Sequence, residues 1–128
     1  MLRNQPIFWT TALMVAGLLT ACGGGGEQAA PAYPQEIVEE GKTLFLQTCF
    51  ACHGQDGKGL PNLGKDLTTS EFVQVSTDDE LLAYVQDGRE ADDPANTTGV
   101  AMPPKGGFDF LTDDDILRII AFIRSIQR

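Results

Sequence analysis

Apolar residues recur at three- and four-residue steps in three separate stretches of the chain, and no convincing pair of alternating strands accompanies them. In EIVEEGKTLFLQTC, residues Ile37, Val38, Gly41, Leu44, Phe45 and Cys49 fall on one helical face. STDDELLAYVQDG predicts a second helix: Thr77 caps it, Glu80 is the capping-box partner, Leu81, Leu82 and Val85 face inward, and Gly88 stops it. LTDDDILRIIAFIRSIQR predicts a third, capped by Thr112 and apolar at Ile116, Ile119, Ile120 and Ile123. Arg124 and Arg128 stand at its carboxyl end, where the helix dipole favours cations, and the acids at 78–80 and 113–115 answer the dipole at helix starts. The intervening GQDGKGLPNLGKD and GREADDPANTTGVAMPPKGG are rich in glycine and proline and read as loops. The fold class is all-α, with no internal repeat.

A further apolar run, Ile7 to Ala21, follows Arg3 and ends in small residues before Cys22, which is the layout of an export signal. Its fifteen residues fall short of the about 20 that span a bilayer core. Leu19-Thr20-Ala21-Cys22 resembles the lipobox of bacterial lipoproteins, in which the signal is cut before the cysteine and that cysteine carries the lipid. A plain cleaved signal and a retained helix are the alternatives. The division expected is a signal peptide over 1–21, lipidated Cys22 and a flexible tether over 22–35, and a folded domain over 36–128. GGGGEQAAPAYPQ, as a glycine-rich coil, has a root-mean-square span of about 20 Å. The exported domain would then be held on a membrane surface, facing the periplasm or another extracytoplasmic space.

Composition sharpens this in two ways. The formal charge of −9 lacks the basic stripe that phosphate binding needs, so nucleic acid is excluded as a partner. A folded part of fewer than about 100 residues with long loops also has a thin core, which a large apolar cofactor would fill.

The chemistry-bearing residues are scarce: three cysteines, one histidine and three methionines. Removal of the signal takes Met1 and Met14, and lipidation blocks Cys22. What remains is Cys49, Cys52 and His53 in TCFACHGQDG, and Met102 in GVAMPPKGG. At i, i+3 and i+4 of a helical turn the first three point the same way. Two thiols can bond to a porphyrin edge while the imidazole reaches the iron, and C-x-x-C-H is the attachment signature of c-type haem. A zinc site lacks a fourth soft ligand, and a thioredoxin-like site lacks its βαβ surround. A structural disulfide leaves His53 without a task. For the second face of the iron Met102 is the candidate. Pro103 keeps it out of helical angles, Pro104 stiffens the chain after it, and Gly99, Gly106 and Gly107 allow sharp turns at both ends. An open site or a lysine is the alternative.

With these residues in place, 36–126 resembles a class I cytochrome c domain, lipid-anchored bacterial form: a helix running into CFACH, a loop with "PNL", a middle helix, a methionine-proline loop and a C-terminal helix. The resemblance implies three to four helices around one covalently bound haem c. It implies that the terminal helices cross near a glycine and an aromatic, here Gly41 and Phe122 with Phe45 and Ile119 beside them. It also implies a backbone carbonyl near the "PNL" proline, Pro61, as orienter of His53. One departure is the lysine ring of mitochondrial cytochrome c, since only Lys42, Lys58, Lys65 and Lys105 exist here.

The function expected from His53 and Met102 as axial ligands is one-electron transfer without substrate turnover. The expected partner is a respiratory or photosynthetic membrane complex: a quinol-oxidising assembly such as alternative complex III, an oxidase or a reaction centre. Glu90, Asp92 and Asp93, outside any helix start, are the expected patch for steering toward a basic partner. If Met102 is not a ligand, the open iron makes the protein a peroxidase or small-ligand sensor.

Overall fold

The computed structural model describes residues 33–128, so the expected leader, Cys22 and nearly all of the expected tether lie outside the described residues. The described chain runs through α1 (Gln35–Thr48), α2 (Phe50–His53), α3 (Glu71–Val75), α4 (Asp78–Asp87), a 3-10 turn at Pro104–Gly107, and α5 (Asp113–Ser125). Among the described residues there is no strand, only an isolated antiparallel bridge between Arg89 and Met102. The three long helices are those the periodicity predicts. The short α3 falls in what the sequence reads as loop; Ser70 caps it by accepting from the Val73 amide at 3.4 Å. No helix among the described residues is long and apolar enough to cross a membrane.

The terminal helices make the core. Helix α1 buries Gly41, Phe45 and Thr48. Helix α5 buries an unbroken run from Ile119 to Arg124 together with Ile116. The Phe45 and Phe122 rings meet at 5.1 Å between centroids, tilted by 56°, within the range where aromatic pairs attract. At the crossing Gly41 faces the Arg118 carbonyl, and a Cβ on residue 41 would collide with that backbone. The expected glycine crossing is present, and the ring that Phe122 touches is Phe45.

Both predicted caps form in full. Thr77 accepts from the Glu80 amide while the Glu80 carboxylate accepts from the Thr77 amide at 2.7 Å. Thr112 and Asp115 do the same on α5, with the return bond at 3.0 Å. Asp115 is thus a specific capping partner as well as a dipole charge.

Arg124 corrects the dipole reading. Its position is i+4 from Ile120, on the buried face, and its side chain is 8% exposed. The guanidinium donates to the carbonyls of Val73 and Ser76, and its Nε lies 3.1 Å from Asp78. It therefore ties α5 to the corner between α3 and α4. Asp78 also accepts from the Tyr33 hydroxyl, so the first described residue is pinned to the start of α4. Burial, and then the Asp78 carboxylate, push the Tyr33 phenol up to about 12.

Candidate haem site

The α1 chain ends at Cys49, and the next turn is α2. The amides of Cys52 and His53 both donate to the Cys49 carbonyl, at 3.2 and 3.0 Å, which sets Cys49, Cys52 and His53 at the helical spacing expected. Gly54, at φ 72°, ends the turn. The following loop curls back over it: the Gly59 amide donates to the His53 carbonyl at 2.7 Å and the Leu60 amide to the Cys52 carbonyl at 3.0 Å. Gly64 completes the approach, because a Cβ there would strike the Cys52 carbonyl.

This return places the Lys65 carbonyl 2.9 Å from His53 Nδ1. A carbonyl only accepts, so Nδ1 carries the proton and the Nε2 lone pair is left free. Burial lowers the His53 pKa, with the Lys65 carbonyl opposing, and the imidazole is neutral at pH 7. The orienting group is thus Lys65 and not Pro61, which is exposed. The loop needs four more residues after the proline to bring a carbonyl under the ring. Cys49 and Cys52 are both free thiols, and burial raises the Cys49 pKa. Among the described residues no three histidine, cysteine or acidic side chains gather as a metal-ion site.

Met102 lines the same cleft as Cys49, Cys52 and His53. Gly88, at φ 72°, closes α4 at a point where a Cβ would meet the Met102 carbonyl. The Arg89 and Met102 backbones exchange two hydrogen bonds of 2.8 Å each. The intervening loop is organised by Asn96, whose Nδ2 donates to the carbonyls of Glu90 and Val100 at 2.9 and 2.8 Å. Beyond the methionine, Gly106 and Gly107 take positive φ as the turns require, and Lys105 does so too, at φ 52°. Its Nζ donates to the Leu111 carbonyl at 2.8 Å. Asp93, in the expected acidic patch, accepts from the Ala95 amide at 2.7 Å and sits 3.8 Å from Arg89 Nε. Glu90 and Asp92 beside it are exposed.

Cys49, Cys52, His53 and Met102 all line one cleft. Its inner part reaches Phe45, Leu81, Val85, Ile119 and Ile120 and comprises about 1100 Å³ of space including its open mouth. The donor set fits haem c: two unpaired thiols on one wall, a neutral imidazole with a free nitrogen, a thioether among the lining groups, and an apolar floor for a porphyrin. Sequence reasoning did not find Arg89, Asn96 or the Lys65 carbonyl. Lys65 acts through its carbonyl, Arg89 pairs with Met102 backbone to backbone, and the Asn96 side chain serves two backbone carbonyls, contacts that no side-chain pattern announces.

The chain belongs to the cytochrome c family, whose model matches residues 38–127. Membership brings a covalently bound haem c and electron transfer as the class of function. Relatives include the Cbb3-type cytochrome c oxidase subunit CcoP of Azospirillum brasilense, 30% identical over 93 residues, which cover 69% of this chain and 30% of that one. The subunit FixP of Bradyrhizobium diazoefficiens is 31% identical over 91 residues, again 69% of this chain and 30% of the relative. The chain spans about a third of the length of these relatives. Among solved structures, cytochrome CL from the marine methylotroph Methylophaga aminisulfidivorans MPT superposes with a TM-score of 0.57 at 27% identity, covering 73% of this chain and 57% of that one.

Proposed function

We propose that this protein is a one-electron carrier whose haem c is bonded to Cys49 and Cys52 and ligated by His53 and Met102, and that it exchanges electrons with a membrane oxidase or related respiratory complex. The observation that carries the reading is the meeting of all four side chains in one apolar cleft. When bound, haem c supplies a ferric/ferrous couple. Cys49 and Cys52 would hold the porphyrin through thioether bonds. His53 presents Nε2 because Lys65 holds its other nitrogen. Met102 offers a soft neutral sulfur, which favours the ferrous state. The likeness to Cbb3-type oxidase subunits supports an oxidase as partner. Exposed Glu90 and Asp92 support a partner with a basic docking face.

The same reading takes 1–21 as a leader, Cys22 as the lipidated residue and 22–35 as a tether holding the exported domain to a membrane; the lipobox-like LTAC supports it. Cys22→Ser should then free the protein from membranes.

The deciding experiment is Met102→Ala in the haem-loaded protein. The wild type should show the far-red sulfur-to-iron band and slow carbon monoxide binding when reduced. The variant should lose the band, lower its potential and bind carbon monoxide fast. Wild-type protein that lacks the band and takes up carbon monoxide rapidly would point to the open-iron peroxidase or sensor.

A further inference from the structure

The side chain of Arg89 spans three parts of the molecule. Its guanidinium carbon lies 4.7 Å from the ring centre of Tyr84 on α4 and 5.5 Å from that of Phe72 on α3. One terminal nitrogen donates to the Ala95 carbonyl at 3.2 Å, and Nε approaches Asp93 at 3.8 Å, both in the loop leading to Met102. Phe72 and Tyr84 themselves meet edge-on at 5.0 Å, so the cation rests on a braced aromatic pair. An arginine stacked on exposed aromatic rings is by itself common surface chemistry. The backbone makes this one different, because both polar groups of residue 89 are committed to Met102. Whatever fixes residue 89 in place also fixes the start of the methionine side chain.

We propose that Arg89 is the positioning residue for Met102: its flat, forked cation locks residue 89 against α3, α4 and loop 90–101, and the two backbone bonds pass that fixity to the thioether. This rests on Met102 being an axial ligand. A thioether holds iron weakly, so the fraction of molecules with the sulfur in place depends on how little freedom its backbone retains. Lysine supplies the charge without the fork or the planar face and does not replace arginine here.

The test uses the haem-loaded full chain as wild type, Arg89→Ala and Arg89→Lys, with the far-red band, the potential and carbon monoxide association to the reduced protein as readouts. Arg89→Ala should weaken the band, lower the potential and speed carbon monoxide binding about tenfold, with covalent haem content unchanged. Arg89→Lys should show the same changes to a smaller degree, and since it keeps the charge, its lowered potential reports the sulfur and not the lost cation. If Arg89→Ala fails to load haem, the lysine variant decides alone. Wild-type band, potential and association rate in either variant would overturn the proposal, and full rescue by lysine would show that charge suffices without the clamp. Absence of the band in wild type itself would instead remove the ligand assignment of Met102.

Discussion

His53 Nδ1 and the carbonyl of Lys65 lie 2.9 Å apart, and Gly64 is the residue whose missing side chain allows it. An alanine at 64 meets the Cys52 carbonyl, a backbone group that cannot rotate aside as a side chain could, so the loop must lift and the hydrogen bond must lengthen. Gly64→Ala should lower covalent haem yield and raise the potential of what is loaded, because a less strongly bonded imidazole is a weaker donor to ferric iron. Haem staining after denaturation and a redox titration check both. Pro61→Ala is the control and should leave the potential unchanged.

At the α1–α5 crossing, Gly41→Ala sets two effects against each other. Alanine favours the helix by up to about 1 kcal/mol, whereas overpacking a tight contact costs about 1–3 kcal/mol. The obstacle is the Arg118 backbone, so the clash wins, and a net loss of about 2 kcal/mol is expected from urea unfolding. A variant as stable as wild type would show that the helices separate at little cost.

Arg124→Met removes the donor to Val73, Ser76 and Asp78 together. Asp78 has some solvent to turn to, but the buried Val73 carbonyl does not, and a loss of about 3 kcal/mol is expected. Arg124→Lys should recover only part, since one ammonium cannot serve three separated acceptors. A dipole role alone predicts a loss below about 1 kcal/mol and full rescue by lysine.

The contrast shows what the sequence made legible. Thr77 with Glu80, and Thr112 ahead of the Ile116–Ile123 face, mark helix starts by local chemistry, and those starts are where the text of the chain puts them. Cys49, Cys52 and His53 need only one helical turn to converge. Helix α3 is five residues long with Phe72 and Val75 exposed, too short to set up a period. Arg124 misleads because its charge suggests solvent while its register points inward. Lys65 acts through a carbonyl, and Arg89 meets Met102 backbone to backbone, so neither interaction depends on a residue type that a reader of side chains would notice.

Acid should loosen the helix starts. Hydrogen bonds from the Thr77 backbone and side chain hold Glu80 below its ordinary pKa, and those from the Thr112 side chain and backbone hold Asp115 below its own. Folded values below the unfolded ones mean that the carboxylates stabilise the fold at neutral pH and that this is lost as pH falls through the folded values. The melting temperature should therefore decline below about pH 4.5. Thr77→Val with Thr112→Val should flatten that decline, and an unchanged slope would assign acid sensitivity to other groups.

The paired backbone bonds between Arg89 and Met102 close the intervening segment like the neck of a purse. Asp92 lies exposed beyond that neck, apart from the Asp93 contact to Arg89, so its charge can be rewritten without disturbing what lies behind it. Replacing Asp92 with lysine should alter how electron exchange responds to ionic strength and leave the midpoint potential where it was. Recognition and redox tuning would then be free to diverge separately across relatives of this chain.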